Sequence, residues 1–293
     1  MKIFKWLGLF LLTASAAFAQ PIQVELVLDQ DRFVPDEALK AKVRITNLSG
    51  QTLKLGEDNE WLFFNVEGVK NKLVGMRGRV PVEGSFEVPS AARVTTKEGY
   101  DIAPYFNLAE SGNYSITATV AIKAWGGQIF TSPPRKIDII KGTILWEKEF
   151  GVPPASGVSA PPELRRYTLE QAKHLDKLKL YVRVQDAASL RTVKVFPLAP
   201  LLSFSQVEHQ IDRFSNLHVM TQTGARVFTY CVVSPEGDLA IRQAHEYTGS
   251  RPRLGVDAMG NITVTGGTRR IMATDLPGPL LKLPPEAAGN SAP

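Results

Sequence analysis

The sequence predicts an all-β protein made of two β-rich domains, and three observations carry that reading. Short segments alternate apolar and polar residues with a period of two, as in Leu39, Ala41, Val43 and Ile45 against Lys40, Lys42 and Arg44. Turn chemistry built on Gly, Pro, Asn and Asp separates these segments. In the second half a turn-and-strand pattern recurs three times. A chain of 293 residues with a 44% hydrophobic fraction is long enough to bury two modest cores.

Residues 1–19 read as a signal peptide. Lys2 and Lys5 give a positive start, an apolar run begins at Trp6, and Ala17-Phe18-Ala19 supplies the small-x-small pattern of a cleavage site before Gln20. The run is too short for a membrane-spanning helix, which needs about 20 apolar residues. No cysteine follows it to accept a lipid, and no later stretch is long and apolar enough to span a bilayer. The expectation is an exported protein, periplasmic or extracellular, with no transmembrane segment after cleavage.

Residues 20–141 form the first expected domain. Ile22, Val24, Leu26 and Leu28 alternate with Gln23 and Glu25 as a half-buried strand, and Pro35-Asp36-Glu37 turns the chain into the strand at Leu39. Further strands are expected at Thr52–Leu55, Trp61–Val66 and Tyr114–Val120. Trp125-Gly126-Gly127-Gln128 reads as a hairpin turn, because glycine adopts the positive φ angles that tight turns need.

Two of these segments carry a resemblance. Phe33-Val34-Pro35-Asp36-Glu37 before a strand ending Arg44-Ile45-Thr46-Asn47, together with Phe106 to Tyr114, resembles bacterial immunoglobulin-like domains. The resemblance implies a β-sandwich over residues 20–141, in which Tyr114 packs at a corner and bonds back to the backbone. The same stretch is similar to proteinase-inhibitor domains of bacilli. Such motifs identify a fold and not an activity.

Between Gly151 and Glu163 the composition shifts to Pro, Gly, Ser and Ala, and residues 142–163 are expected as a semi-rigid linker. A second β-rich domain is expected over 164–273. Thr168-Leu169-Glu170-Gln171 has capping-box spacing and predicts a short helix to about Asp176. Leu178, Leu180, Val182 and Val184 then alternate as a strand. The three similar units begin at Asp212, Ser234 and Asp257, and each places Asn216, Asp238 or Asn261 at the end of a tight turn. Three hairpins are too few for a closed propeller, so an open meander or a small sandwich is expected. Residues 274–293, with Pro277, Pro279, Pro284 and Pro285, are expected as a disordered tail.

Composition narrows the function classes. Residues 20–141 carry 15 basic and 15 acidic side chains, and residues 142–293 carry 17 and 14. That balance is too interspersed for a nucleic-acid footprint, which wants clustered Lys and Arg. Cys231 is the only cysteine, so no internal disulfide forms, and its strand-like setting makes it a packing residue. His174, His209, His218 and His245 lack the spacing of metal ligands, and no cysteine pair accompanies them. Glu57-Asp58-Asn59-Glu60 gathers acids without the spacing of a calcium loop. No Gly-x-Ser-x-Gly elbow is present. No metal, cofactor or catalytic residue is expected.

The binding candidates are Trp125, whose ring beside the glycine turn could stack on a sugar or a peptide, and Arg251, Arg253, Arg269 and Arg270, which flank the last hairpin and could pair with carboxylates or phosphates. Three function classes stay open. The first is a non-catalytic binding or envelope-scaffolding protein with a protein or glycan partner. The second is a proteinase inhibitor acting through the stretch from Gly75 to Val88. The third is a hydrolase whose residues converge only in space.

Overall fold

The computed structural model describes residues 20–68, 73–152 and 163–276, and almost every period-two segment among them is a strand. The expected signal peptide, residues 153–162 of the expected linker and the tail from residue 277 lie outside the described residues.

The first sandwich is built from β1 (Ile22–Leu28), β2 (Arg32–Phe33), β3 (Lys40–Asn47), β4 (Leu53–Leu55), β5 (Leu62–Glu67), β6 (Phe86–Val88), β7 (Arg93–Thr95), β8 (Tyr100–Asp101), β9 (Gly112–Ile122), β10 (Gln128–Thr131) and β11 (Arg135–Ile139). One sheet runs β1-β3-β7 with β8 also on β3. The other runs β10-β9-β11-β2 with β5 on the far side of β9, and β4 pairs β6 as a ribbon. Val24 lies opposite Ile45 and Leu26 opposite Val43, so the inward rows of β1 and β3 meet on one face. They pack against Ile116, Ala118 and Val120 of β9 and Phe64 and Val66 of β5 in a single core. The Tyr114 hydroxyl donates to the Glu110 carbonyl at 2.8 Å, fixing the approach to β9.

Every buried residue of that core lies between Ile22 and Ile139. Residues 20–141 alone are therefore expected to unfold in one cooperative thermal transition. A broad, non-cooperative profile from that fragment would contradict the boundary.

The second sandwich starts earlier than its composition suggests. Strand β12 (Thr143–Val152) pairs along its length with β13 (Glu163–His174), so the first half of the expected linker is a sheet edge. The capping-box spacing at Thr168 also misleads, because that segment lies inside β13. The reason is burial on both faces, which removes the alternation that marks a strand. Tyr167 and Leu169 enter the core on one side, while Thr168, Glu170 and Ala172 are covered on the other.

Strands β14 (Lys177–Asp186) and β15 (Thr192–Leu201) complete the sheet β12-β13-β14-β15. Facing it are β16 (Glu208–Ile211), β17 (Leu217–Gln222), β18 (Val227–Val233), β19 (Leu239–Glu246) and β22 (Thr268–Arg270), in that order. The two sheets share one core of Tyr167, Leu169, Leu180, Val182, Val184, Leu217, Val219, Cys231 and Val233 among others. The domain is thus a small sandwich and not an open meander. Cys231 packs inside it as expected, and burial pushes its thiol up to about 11.

The three similar turns share one geometry. In each, the first residue's N–H bonds the carbonyl of the fifth: Asp212 to Asn216 at 3.0 Å, Ser234 to Asp238 at 2.8 Å and Asp257 to Asn261 at 2.9 Å. The fourth residue has positive φ in all three, as Ser215, Gly237 and Gly260. This is a type I turn closed by a left-handed residue, the usual three-residue hairpin loop. The units do not stack as equals, however. The first two turns join neighbouring strands of one sheet. The third joins β20 (Arg253–Val256) to β21 (Ile262–Thr265), a separate ribbon whose Leu254 and Val264 cover Met220, Phe228, Tyr230 and Val232 on that sheet's outer face. The expected tail begins inside the fold, since the Leu276 N–H bonds the Arg242 carbonyl at 3.0 Å.

The two sandwiches meet through the turn that precedes β3. Val34 packs on Ala172, Tyr181 and Val195 of the outer face of β13, β14 and β15. Around it, Arg183 donates to Glu170 at 2.9 Å, to the Pro35 carbonyl at 3.0 Å and to Asp36 at 3.3 Å. Glu37 is buried beside them, and its carboxylate accepts from Gln30 and from the Val34 N–H. Burial raises the Glu37 pKa.

His174 belongs to the same face and bonds the Tyr181 hydroxyl at 2.6 Å. Burial, aided by Lys179 and Arg32, holds its pKa down at about 4. The unfolded chain, with an ordinary histidine near 6.5, binds more protons between those values than the folded one. Through this group, stability is expected to fall as pH drops from about 6.5 towards 4, and a His174→Gln variant should show a flatter pH profile in that window. Identical urea midpoints for wild type across it, once other groups are accounted for with the variant, would contradict the assignment.

Candidate functional site: a tryptophan-lined cavity

At one end of the first sandwich, β9 passes through a 3-10 turn at Lys123–Trp125 before β10. Gly126 and Gly127 then take φ angles of 66° and 79°, which a side chain would strain, and the Gly127 N–H closes the turn on the Ile122 carbonyl. This geometry sets the Trp125 ring half-buried, edge-on to Phe130 with centroids 6.3 Å apart.

Trp125 does not stand alone on the surface. It lines a cavity of about 340 Å3 together with Trp61, Gln51, Thr52, Leu55 and Ala121. Trp61 precedes β5 and is only 3% exposed, its ring tilted against Phe86 with centroids 5.7 Å apart. Its indole N–H is buried and meets no acceptor among the described residues. A buried donor left unmade costs about 1–3 kcal/mol, and Trp61 is one of six residues with such an atom among the described residues.

Most charges at the rim are paired, and the exception is Glu57, which lines the cavity with no ionic partner among the described residues. Lys123 donates to Asp58 and, at 3.0 Å, to Glu60, while Arg79 lies 3.5 Å from Glu60. The Lys123 hydrogen bonds hold both carboxyls below their ordinary range and raise the ammonium. Of the three acids in the turn Glu57-Asp58-Asn59-Glu60, Asp58 and Glu60 are engaged by Lys123 and Arg79 and Glu57 is not. Among the described residues no group of His, Cys, Asp and Glu is arranged to hold a metal ion.

The four arginines do not form one patch. Arg251 lies over the Phe228 ring at 5.1 Å, so it belongs to the packing of the ribbon. Arg269 is bonded to Asp275 at 2.9 Å. Arg253 and Arg270 are exposed, and Arg270 lies beside Arg269 on β22, where successive side chains point to opposite faces.

His218 and His245 flank the Tyr230 ring, with centroids 5.9 and 6.4 Å away, while His174 packs on Tyr181 and His209 on Trp146. His218 has both ring nitrogens engaged, by Tyr230 at 2.7 Å and Asp212 at 3.1 Å. That chain of groups includes no serine or cysteine to act as nucleophile, and burial raises the Tyr230 pKa. The stretch from Gly75 to Val88, weighed as an inhibitory loop, is pinned to the core by Val80, Val82 and Val88, all buried. Around those anchors Met76, Arg77, Arg79, Pro81 and Glu83 are exposed.

Trp61 was not among the residues singled out by sequence. Its only signal was its place at the head of a strand, which reads as core. The unpaired N–H exists only once the fold has closed around it.

No family model matches the chain, and no curated protein matches it. Among solved structures, the sporulation control protein Spo0M from Bacillus subtilis is similar over 59% of this chain and 83% of its own, at 10% identity and a TM-score of 0.28. A likeness of that size carries no argument about this chain. Among the described residues no helix is long and apolar enough to cross a membrane.

Proposed function

We propose that the chain is a non-catalytic, exported binding protein that takes a neutral glycan of the cell envelope in the tryptophan-lined cavity of its first sandwich. The observation that carries the reading is the cavity walled by both Trp61 and Trp125, with the buried Trp61 indole N–H unpartnered among the described residues. An aromatic wall with a few fixed polar groups is the usual make-up of a small-ligand site. The ligand carries no negative charge because Lys123, Asp58, Glu60 and Arg79 are spent on one another and the unpaired charge lining the cavity is Glu57. Export is supported by Lys2, Lys5 and the Ala17-Phe18-Ala19 pattern. An immunoglobulin-like reading of the first sandwich is supported by its two packed sheets and by the Tyr114–Glu110 bond.

Titration calorimetry with a neutral oligosaccharide of N-acetylglucosamine tests the proposal. Trp125→Ala is expected to weaken binding by about tenfold or more, the loss of roughly 1.4 kcal/mol of contact. Trp61→Phe keeps the ring and removes the N–H, and should weaken it a few-fold, as for a neutral hydrogen bond. Binding unaltered by both changes would move the site elsewhere. No binding of this or other neutral oligosaccharides would remove the glycan reading.

A further inference from the structure

We propose that the second sandwich carries a separate groove for an organic oxyanion, between the edge strands β12 and β16. Both strands have a free edge, since β12 pairs only β13 and β16 pairs only β17. On β12, Lys148 lies opposite Tyr167, a fully buried core residue, so Lys148 occupies the inward-facing row between Trp146 and Phe150. On β16, His209 lies opposite Val219, also of the core, and so takes the inward row between Val207 and Ile211. Two ionisable side chains thus stand in rows that the pattern of the sandwich makes apolar, Lys148 exposed at the sheet edge and His209 half-buried. Departures of that kind are expected at functional sites.

The fold leaves room in front of them. A cavity of about 550 Å3 is lined by Trp146, Lys148, His209, Arg213, Ile211 and Ile262. Trp146 and His209 stack across the gap between the sheets, with centroids 4.2 Å apart and planes 30° from parallel. Arg213 lines the rim from the first of the three similar turns, exposed and with its guanidinium 4.9 Å over the Phe214 ring, and the ribbon β20–β21 forms the far wall.

The electrostatics lean positive, with the Arg213 charge acting on the Asp257 carboxylate of the third turn. Neither Lys148 nor Arg213 has a carboxylate within salt-bridge distance among the described residues. Asp212, the acid that also lines the cavity, is already bonded to the Phe214 and Asn216 N–H groups, to the Asn216 side chain and to His218. Burial and the Lys148 ammonium hold His209 below its ordinary range. An anionic head near Lys148 and Arg213 would relieve that repulsion, and an apolar or flat body would lie against Trp146, Ile211 and Ile262. An inward lysine on an edge strand can also serve to block edge-to-edge pairing. That role accounts for Lys148 but not for His209 or Arg213 in the same cavity.

Phenyl phosphate titrated into the full-length mature protein tests the groove, followed by the NMR signals of the Trp146 indole and the His209 ring. Saturable shifts at both residues are expected, with weaker binding of inorganic phosphate, which lacks the flat body. Lys148→Gln and Arg213→Gln should each weaken binding about tenfold, and the pair together should abolish it. Arg270→Gln, on exposed β22, should leave it unchanged. Benzoate as a competitor separates a phosphate site from a carboxylate one. Circular dichroism melting of each variant verifies that the fold persists. Absence of a shift at Trp146 and His209, or equal binding by the folded double variant, would overturn the proposal and leave Lys148 as an edge guard only. The neutral oligosaccharide of the first sandwich should not move these two signals, so the two sites fail or stand separately.

Discussion

Arg183→Ala is expected to lower the stability of the full chain by about 3–5 kcal/mol, the range for breaking a buried ion pair from one side. The Arg183 and Glu170 side chains are 10% and 8% exposed, and Glu170 would be left as a buried charge without its cation. The same guanidinium ties the first sandwich to the second through the Pro35 carbonyl and Asp36. The loss should appear as a shift in urea midpoint with little change in slope. Adding Glu170→Gln to Arg183→Ala should return part of the stability, because the orphaned charge is then gone. A loss below about 1 kcal/mol, as for an exposed pair, would mean that water reaches this junction and that the sandwiches are held by Val34 and its neighbours alone.

The second large effect concerns the ribbon. Deleting residues 253–270 removes β20, β21 and β22 and uncovers Met220, Phe228, Tyr230 and Val232 on the outer face of the sheet. Each side chain of this size contributes roughly 1.5–3 kcal/mol when fully buried, so even partial exposure should cost more than about 3 kcal/mol. Cys231 reports on the consequence. It alternates with Tyr230 and Val232 on β18 and faces the core between the sheets, 1% exposed. In the intact protein a thiol reagent should label it slowly and the denatured chain quickly. In the deletion variant, native labelling should accelerate by about 100-fold, the factor for a loss near 3 kcal/mol. Unchanged labelling would show the ribbon to be an appendage and not part of one cooperative domain.

Much of this fold was legible because each sheet of the first sandwich has a core face and an outer face. The alternation in β1, β3 and β9 follows directly from that difference. The tight turns were legible for another reason: few residues tolerate positive φ, so the sequence at Gly237 and Gly260 advertises the loop. Ser215 takes the same conformation without glycine, and only its alignment with the other two turns revealed it.

What stayed hidden depends on contacts distant in sequence. The sequence of β13 resembles a helix start because the first sandwich covers its outer face, and a covered outer face no longer reads as polar. Strand β12 was hidden by its exposure at a sheet edge, where Thr143, Glu147 and Glu149 look like linker. Arg183 reads as an ordinary outward residue of an alternating strand, and only the Pro35 turn, 148 positions earlier, gives it partners. Trp125 was found because a glycine turn beside a tryptophan is a local signal. Trp61 was not, since its buried N–H is a property of the closed cavity.

The binding claim has one direct measurement, the 15N–1H signals of the three tryptophan indoles of the mature chain, Trp61, Trp125 and Trp146, during titration with a neutral oligosaccharide of N-acetylglucosamine. The Trp61 N–H has no acceptor among the described residues and should gain one from the ligand, so its proton signal should move downfield and saturate. Trp125 should shift with it along the same binding curve, and Trp146 should stay still. Movement of Trp146 alone, or of no indole at all while the protein remains folded, would contradict a glycan site in the first sandwich.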